Sequence, residues 1–193
     1  MSSEIKVNLI KDKSATKTQA TLSSSAVTLD SSVVFPAGGT GNPISVAVIA
    51  DELANSNNAG GATAGSFQTR NLNTKISDPD GIVSISSNQF TLGAGTYHIY
   101  WQAPNYRGNA HKTALVDVTA GAYLEMGSNA YSGGDSGLPQ TISNGSFIHA
   151  PSGSNVYEIR HRCERDQASN GFGVASSFTQ VEIYTLVVIT KLK

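Results

Sequence analysis

The chain has 193 residues, only 14% of them charged, with a formal net charge of −1. That length supports one main domain with a sizeable core, and so sparse and balanced a charge excludes a broad electrostatic grip on nucleic acid or an anionic membrane. One cysteine, Cys163, excludes an internal disulfide framework and the usual cysteine-based zinc sites.

The opening stretch, MSSEIKVNLIKDK, has no apolar core of signal-peptide length, and no later run approaches a membrane span. The expectation is a soluble, non-secreted chain without membrane insertion, so the Asn144-Gly145-Ser146 sequon carries no weight. Within residues 1–40, Ile5, Val7 and Leu9 alternate with polar neighbours, and SSSAVTLDSSVVF offers two further short strands. Such strands cannot bury their apolar faces alone. We read this segment as an extended β anchor that docks on a partner, followed by a hinge at Pro36–Gly41. No Gly-Lys-Ser/Thr follows that hinge, so it is not a phosphate loop.

Residues 41–193 read as a separate head. ISVAVIADEL (44–53) is nearly continuous and rich in β-branched residues, which predicts a central strand buried on both faces. A glycine-rich loop follows, then SFQTRNLN and GIVSIS as strands around Asp78-Pro79-Asp80-Gly81. Paired aspartates there resemble a calcium loop, but later carboxylates at ligand spacing are missing, and the Pro and Gly positions fit a type I turn. In TYHIYWQ, Tyr97, Ile99 and Trp101 alternate with His98, Tyr100 and Gln102. HKTALVDV, AYLEMGS, GSFIHAP, VYEIRHRC and VEIYTLVVITKLK bring the count to roughly eight to ten strands. The fold class is all-β, a jelly-roll sandwich head.

YEIRHRCERDQ (157–167) concentrates three of the five arginines with the only cysteine. Period-two alternation places Tyr157, Ile159, His161 and Cys163 on one face, towards the core. Glu158, Arg160, Arg162 and Glu164 fall on the other, as a solvated or interfacial ion-pair row. Nothing beside Cys163 resembles a nucleophile motif, so the reading is a strand without catalytic residues. His98, His111, His149 and His161 would be the donors of a metal site, but no two share one strand at i, i+2 spacing. No metal or other cofactor is assigned.

QTRNLNT (68–74), SSNQFTLGAGTY (86–97) and the HRC (161–163) and NGFGVA (170–175) pair resemble a module of bacteriophage fibre and virion proteins. That module is similar to the trimeric heads of the tumour-necrosis-factor and complement type. The resemblance implies a homotrimeric knob on a virion, held to a capsid or tail protein by its N-terminal segment. No long repeat or heptad stalk is present, which points to a short fibre or decoration rather than a receptor-binding tail fibre. The apolar last strand, YTLVVI, independently calls for subunit burial. Loops at 54–66, 103–111 and 127–145 would carry any host-surface glycan contact, through Tyr106, Arg107, Tyr131 and Asp135. The competing reading is a glycan-degrading enzyme using two of Asp51, Glu52, Asp117, Glu125, Asp135 and Asp166, which form no obvious carboxylate pair.

Overall fold

The computed structural model describes residues 10–11, 18–22, 27–29, 44–133 and 139–192, with side chains from residue 44 onwards. Ile5, Val7, Leu9 and Asp135 lie outside the described residues. The chain divides into two units, Met1–Pro43 and Ile44–Lys193. In the first, β1 (Ile10–Lys11), β2 (Thr18–Leu22) and β3 (Val27–Leu29) form an antiparallel sheet in that order.

The second unit contains twelve strands and no helix among its described residues. They are β4 (Ser45–Leu53), β5 (Gln68–Thr69), β6 (Thr74–Ser77), β7 (Val83–Ser86), β8 (Gln89–Leu92) and β9 (Tyr97–Tyr106). Then come β10 (Asn109–Asp117), β11 (Ala122–Met126), β12 (Ala130–Ser132), β13 (Gln140–His149), β14 (Asn155–Cys163) and β15 (Glu182–Lys191). One sheet runs β13-β9-β15-β4-β6. The other runs β11-β10-β14-β8-β7, with β5 added to β14 and β12 to β10. The strands all pair antiparallel, and the pairs β13-β9, β15-β4 and β10-β14 join distant parts of the chain, which makes the unit a jelly-roll sandwich.

The core lies between the sheets and follows the alternation of their strands. Tyr97, Ile99 and Trp101 of β9 and Val187 and Ile189 of β15 meet Leu115 of β10 and Tyr157 and Ile159 of β14. Each such side chain contributes about 1.5–3 kcal/mol by leaving water. Trp101 fits because its register partner on β13 is Gly145: a Cβ there would lie 2.0 Å from the indole Cζ2. The indole Nε1–H donates to Thr113 Oγ1 at 2.8 Å, so the ring is buried with its polar atom satisfied.

Several expectations need correction. β4 is not buried on both faces: it lies second from the sheet edge, and Val46 is 40% exposed. SFQTRNLN is not a continuous strand. Gln68–Thr69 pairs with β14, and the Arg70 N–H still donates to the Ile159 carbonyl at 2.8 Å; the chain then leaves that sheet and pairs again from Thr74, against β4 of the other. The stretch 103–111 is not a loop; it is the end of β9 and the start of β10. The two residues between, Arg107 and Gly108, carry the chain from one sheet to the other. Positive φ at Arg107 (52°) and Asn109 (59°) makes the sharp corner. Likewise 127–145 contains β12 and the first half of β13. At Asp78–Gly81 the turn forms: the Gly81 N–H donates to the Asp78 carbonyl at 3.3 Å. The Asp78 carboxylate takes the Ile82 N–H and the Lys75 ammonium.

Candidate functional site

Two features stand out, one on the surface and one inside. The surface feature is the outer face of the β13-β9-β15-β4-β6 sheet. β9 and β13 contain no Asp, Glu, Lys or Arg, and in β15 these occur only at the two ends, Glu182 and Lys191. The register lines up Ser146, Tyr100, Val188 and Val48 across four strands, and beside them Ile148, His98, Thr190 and Val46. Ile148 is 63% exposed and Ile142 50%. At one end Ile142, Ile183 and Pro104, together with Gln102, Gln140 and Glu182, line a hollow of about 310 Å³.

Polar groups on this face are paired with one another. His98 Nε2 and Ser146 Oγ are 2.7 Å apart, the Ser128 hydroxyl donates to Asn144 Oδ1, and the Tyr100 hydroxyl donates to Gln102. A face whose central strands β13, β9 and β15 carry no charge between Glu182 and Lys191, and whose polar groups pair laterally, can be dehydrated at little cost.

The inner feature is a polar cluster at one end of the core. Arg70 is fully buried. Its Nε donates to Thr185 Oγ1 (2.9 Å), and its terminal nitrogens donate to the carbonyls of Pro104 (3.2 Å) and Phe172 (2.8 Å). The guanidinium also lies 4.2 Å from the centre of the Phe172 ring. Burial pulls its pKa down to about 9, opposed by Asp51, so Arg70 stays charged at neutral pH. Burial in turn raises the Asp51 pKa, with Arg70 acting against it.

Beside Arg70, His111 Nδ1 and His161 Nε2 are 2.9 Å apart, and His111 Nε2 is 2.8 Å from Thr141 Oγ1. His161 Nδ1 is buried without a partner among the described residues. One arrangement satisfies every buried N–H of the pair. His161 Nε2–H donates to His111 Nδ1, His111 Nε2–H donates to Thr141, and His161 Nδ1 is left a bare lone pair. Both rings are then neutral. Burial, followed by the Arg70 charge, holds His111 down to about 4 and His161 well below the usual imidazole range.

The sequence-predicted residues are dispersed. His161 and Cys163 point inward, and burial raises the Cys163 pKa, which disfavours a thiolate nucleophile. Of the four histidines, the fold brings together only His111 and His161. Among the described residues no three His, Cys, Asp or Glu side chains converge as metal donors.

Glu158, Arg160, Arg162 and Glu164 share a face, but Glu158 is buried beneath it. Glu158 accepts from Thr69 Oγ1, Gln89 Nε2 and Arg160 Nε, and Arg160 also reaches the Tyr123 hydroxyl. Tyr106 and Arg107 sit at the corner between β9 and β10, with the guanidinium 5.1 Å from the Tyr106 ring centre. Tyr131 is 60% exposed on β12.

The carboxylates of the enzyme reading serve local structure. Asp117 accepts from Asn155 and the Ala120 N–H, Asp166 accepts from the Ala64 N–H, and Asp51 accepts from Asn73. Sequence reasoning missed Arg70 entirely; the one signal was an arginine set between two short β-prone pieces.

No family model matches the chain, and no curated protein matches its sequence. Solved structures resemble its fold. Murine APRIL aligns at 6% identity and a TM-score of 0.49, over 77% of this chain and 99% of that one. The globular domain of zebrafish complement 1qA aligns at 14% identity and 0.43, over 79% and 98%. The Eiger TNF of S. frugiperda aligns at 10% identity and 0.49, over 79% and 94%. The jelly-roll architecture of this chain rests on its own strand order and antiparallel pairing.

Proposed function

We propose that the chain is a non-enzymatic structural protein whose jelly-roll head assembles as a homotrimer through the outer face of the β13-β9-β15-β4-β6 sheet. The observation that carries this is the absence of charge across the centre of that face, where Tyr100, Val188, Val48 and Ile148 stand together. Depletion of charged residues is the compositional mark of an interface core. A second copy of the same surface is the natural cover for it. The number three comes from the resemblance of QTRNLNT and SSNQFTLGAGTY to phage fibre modules. From the same resemblance we place the protein on a virion, as a short fibre or decoration knob, with residues 1–40 docked to a capsid or tail protein.

Light scattering of the full chain tests the assembly. The expected mass is that of three 20.1 kDa chains, and Val188→Glu gives a folded monomer by circular dichroism. A monomeric wild type overturns the assembly reading. Antibody labelling of purified particles tests the location separately, and unlabelled particles overturn it. Host-surface attachment through Tyr106, Arg107 or Tyr131 is the second reading, favoured by the exposure of Tyr131. Unchanged adsorption of a Tyr131→Ala particle removes that residue from the role.

A further inference from the structure

The outer face of the other sheet holds a groove of about 760 Å³ that the assembly reading leaves unused. Phe67 and Met126 form apolar walls, Lys112 and Arg162 are its two cations, and Asn129 and Glu164 are polar lining groups. Lys112 and Arg162 are direct register partners on β10 and β14. Opposed side chains stand about 4.5–5.5 Å apart at Cβ, and like charges so placed repel.

The surrounding face shows how the chain handles charge elsewhere. Arg160, two residues before Arg162 on the same face, is neutralised by Glu158 and lies over the Tyr123 ring. Among the described residues, neither Lys112 nor Arg162 has a carboxylate at ion-pair distance. The one acid among the described lining residues, Glu164, accepts the Ala110 N–H at 3.4 Å. An opposed cation pair with no carboxylate partner among the described residues, in a chain with so few charges, is the arrangement that an anionic ligand completes.

We propose that this groove binds a carboxylate-bearing saccharide. The carboxylate bridges Lys112 and Arg162, and a C–H face of the sugar ring packs on Phe67 and Met126. The hydroxyls reach the Asn129 amide and the Glu164 carboxylate. Two cations against one acid match a single negative charge and disfavour a polyphosphate. An alkyl carboxylate would suit the apolar walls but leave the Asn129 amide and the Glu164 carboxylate without a partner on the ligand, and is the competing occupant that decanoate represents in the test. A volume of this size holds a short oligosaccharide. The site is on the sheet opposite the proposed assembly face, so its fate and that of the trimer are separable.

The test is calorimetric titration of the full chain with a tetrasaccharide of alternating glucuronate and N-acetylglucosamine, beside the neutral N-acetylglucosamine tetramer and decanoate. The acidic sugar is expected to bind at least about tenfold tighter than the neutral one. Arg162→Gln is expected to weaken it by about tenfold or more. That variant should keep or raise the melting temperature, because it relieves a like-charge pair. The same affinity in the Val188→Glu variant separates the groove from assembly. Equal binding of the neutral sugar, binding of decanoate alone, or affinity unchanged by Arg162→Gln overturns the proposal, as does an acidic tetrasaccharide that does not bind.

Discussion

The core of the jelly roll has two unlike halves. Around Phe90, Leu92, Tyr97, Ile99, Tyr157 and Ile159 it is closed by apolar packing, with the Tyr157 hydroxyl buried and without a partner among the described residues. Around Arg70, His111, His161, Thr113, Ser143 and Thr185 it is polar and closed by directional bonds. The same strands supply both: β14 passes from Tyr157 and Ile159 to His161 within a few residues. An apolar half tolerates changes of shape at moderate cost. A buried polar half does not, since removing one member leaves its partners dehydrated and unpaired.

The largest expected effect therefore falls on Arg70. Arg70→Ala strips the partner from two carbonyls and Thr185 and leaves Asp51 without its neighbouring positive charge. We expect a loss of about 3–5 kcal/mol, the range for breaking a buried charge arrangement. Urea unfolding measures it. A loss below about 1 kcal/mol would erase the distinction between the halves, because an ordinary surface arginine costs that little.

Acidification probes the same half more gently. Both histidines have folded pKa values below the ordinary 6.5, so the unfolded chain takes up protons first. Their contribution is complete above about pH 6.5. It declines as pH falls from there towards 4, the value for His111. Glu182, held down to about 2 by the Ser176 and Ser177 N–H groups, loses its contribution only as pH falls below 4.5. Asp51, with its raised pKa, works in the opposite direction, gaining as pH falls through its folded pKa. Melting temperature is thus expected to fall between pH 6.5 and 4.5, and His111→Gln/His161→Gln is expected to flatten that fall. A wild-type curve that is level over this interval would show that the pair is hydrated in solution.

What the sequence made legible follows from the range of the signal. Alternation is local, so β9 and β14 could be read residue by residue, and Trp101, Ile159, His161 and Cys163 face inward as their spacing requires. Register and sheet order are not local. Arg70 is held by Thr185, Pro104 and Phe172, which come from three distant segments, and nothing in QTRNLN announces them. The like-charged neighbours Lys112 and Arg162 are fifty residues apart and meet only because β10 pairs with β14 in one register. The stretch 103–111 misled for a related reason: Pro104, Asn105, Gly108 and Asn109 are turn-forming residues, yet the sheets continue to within two residues of each other. Positive φ at Arg107 and Asn109 confines the corner to Arg107 and Gly108.

The smallest expected effect sharpens the boundary between the halves. Ile159 is fully buried in the apolar cluster, while its carbonyl accepts the Arg70 N–H at 2.8 Å. Its side chain belongs to one half and its backbone supports the other. Ile159→Val deletes one methylene and leaves the backbone bond in place, so the expected loss is about 0.5–1.5 kcal/mol. It should add to Arg70→Ala within about 0.5 kcal/mol if the two halves respond independently. A double-mutant cycle by urea unfolding decides. A larger coupling would mean that side-chain packing at Ile159 sets the position of β5, and that the polar half is held by the apolar one.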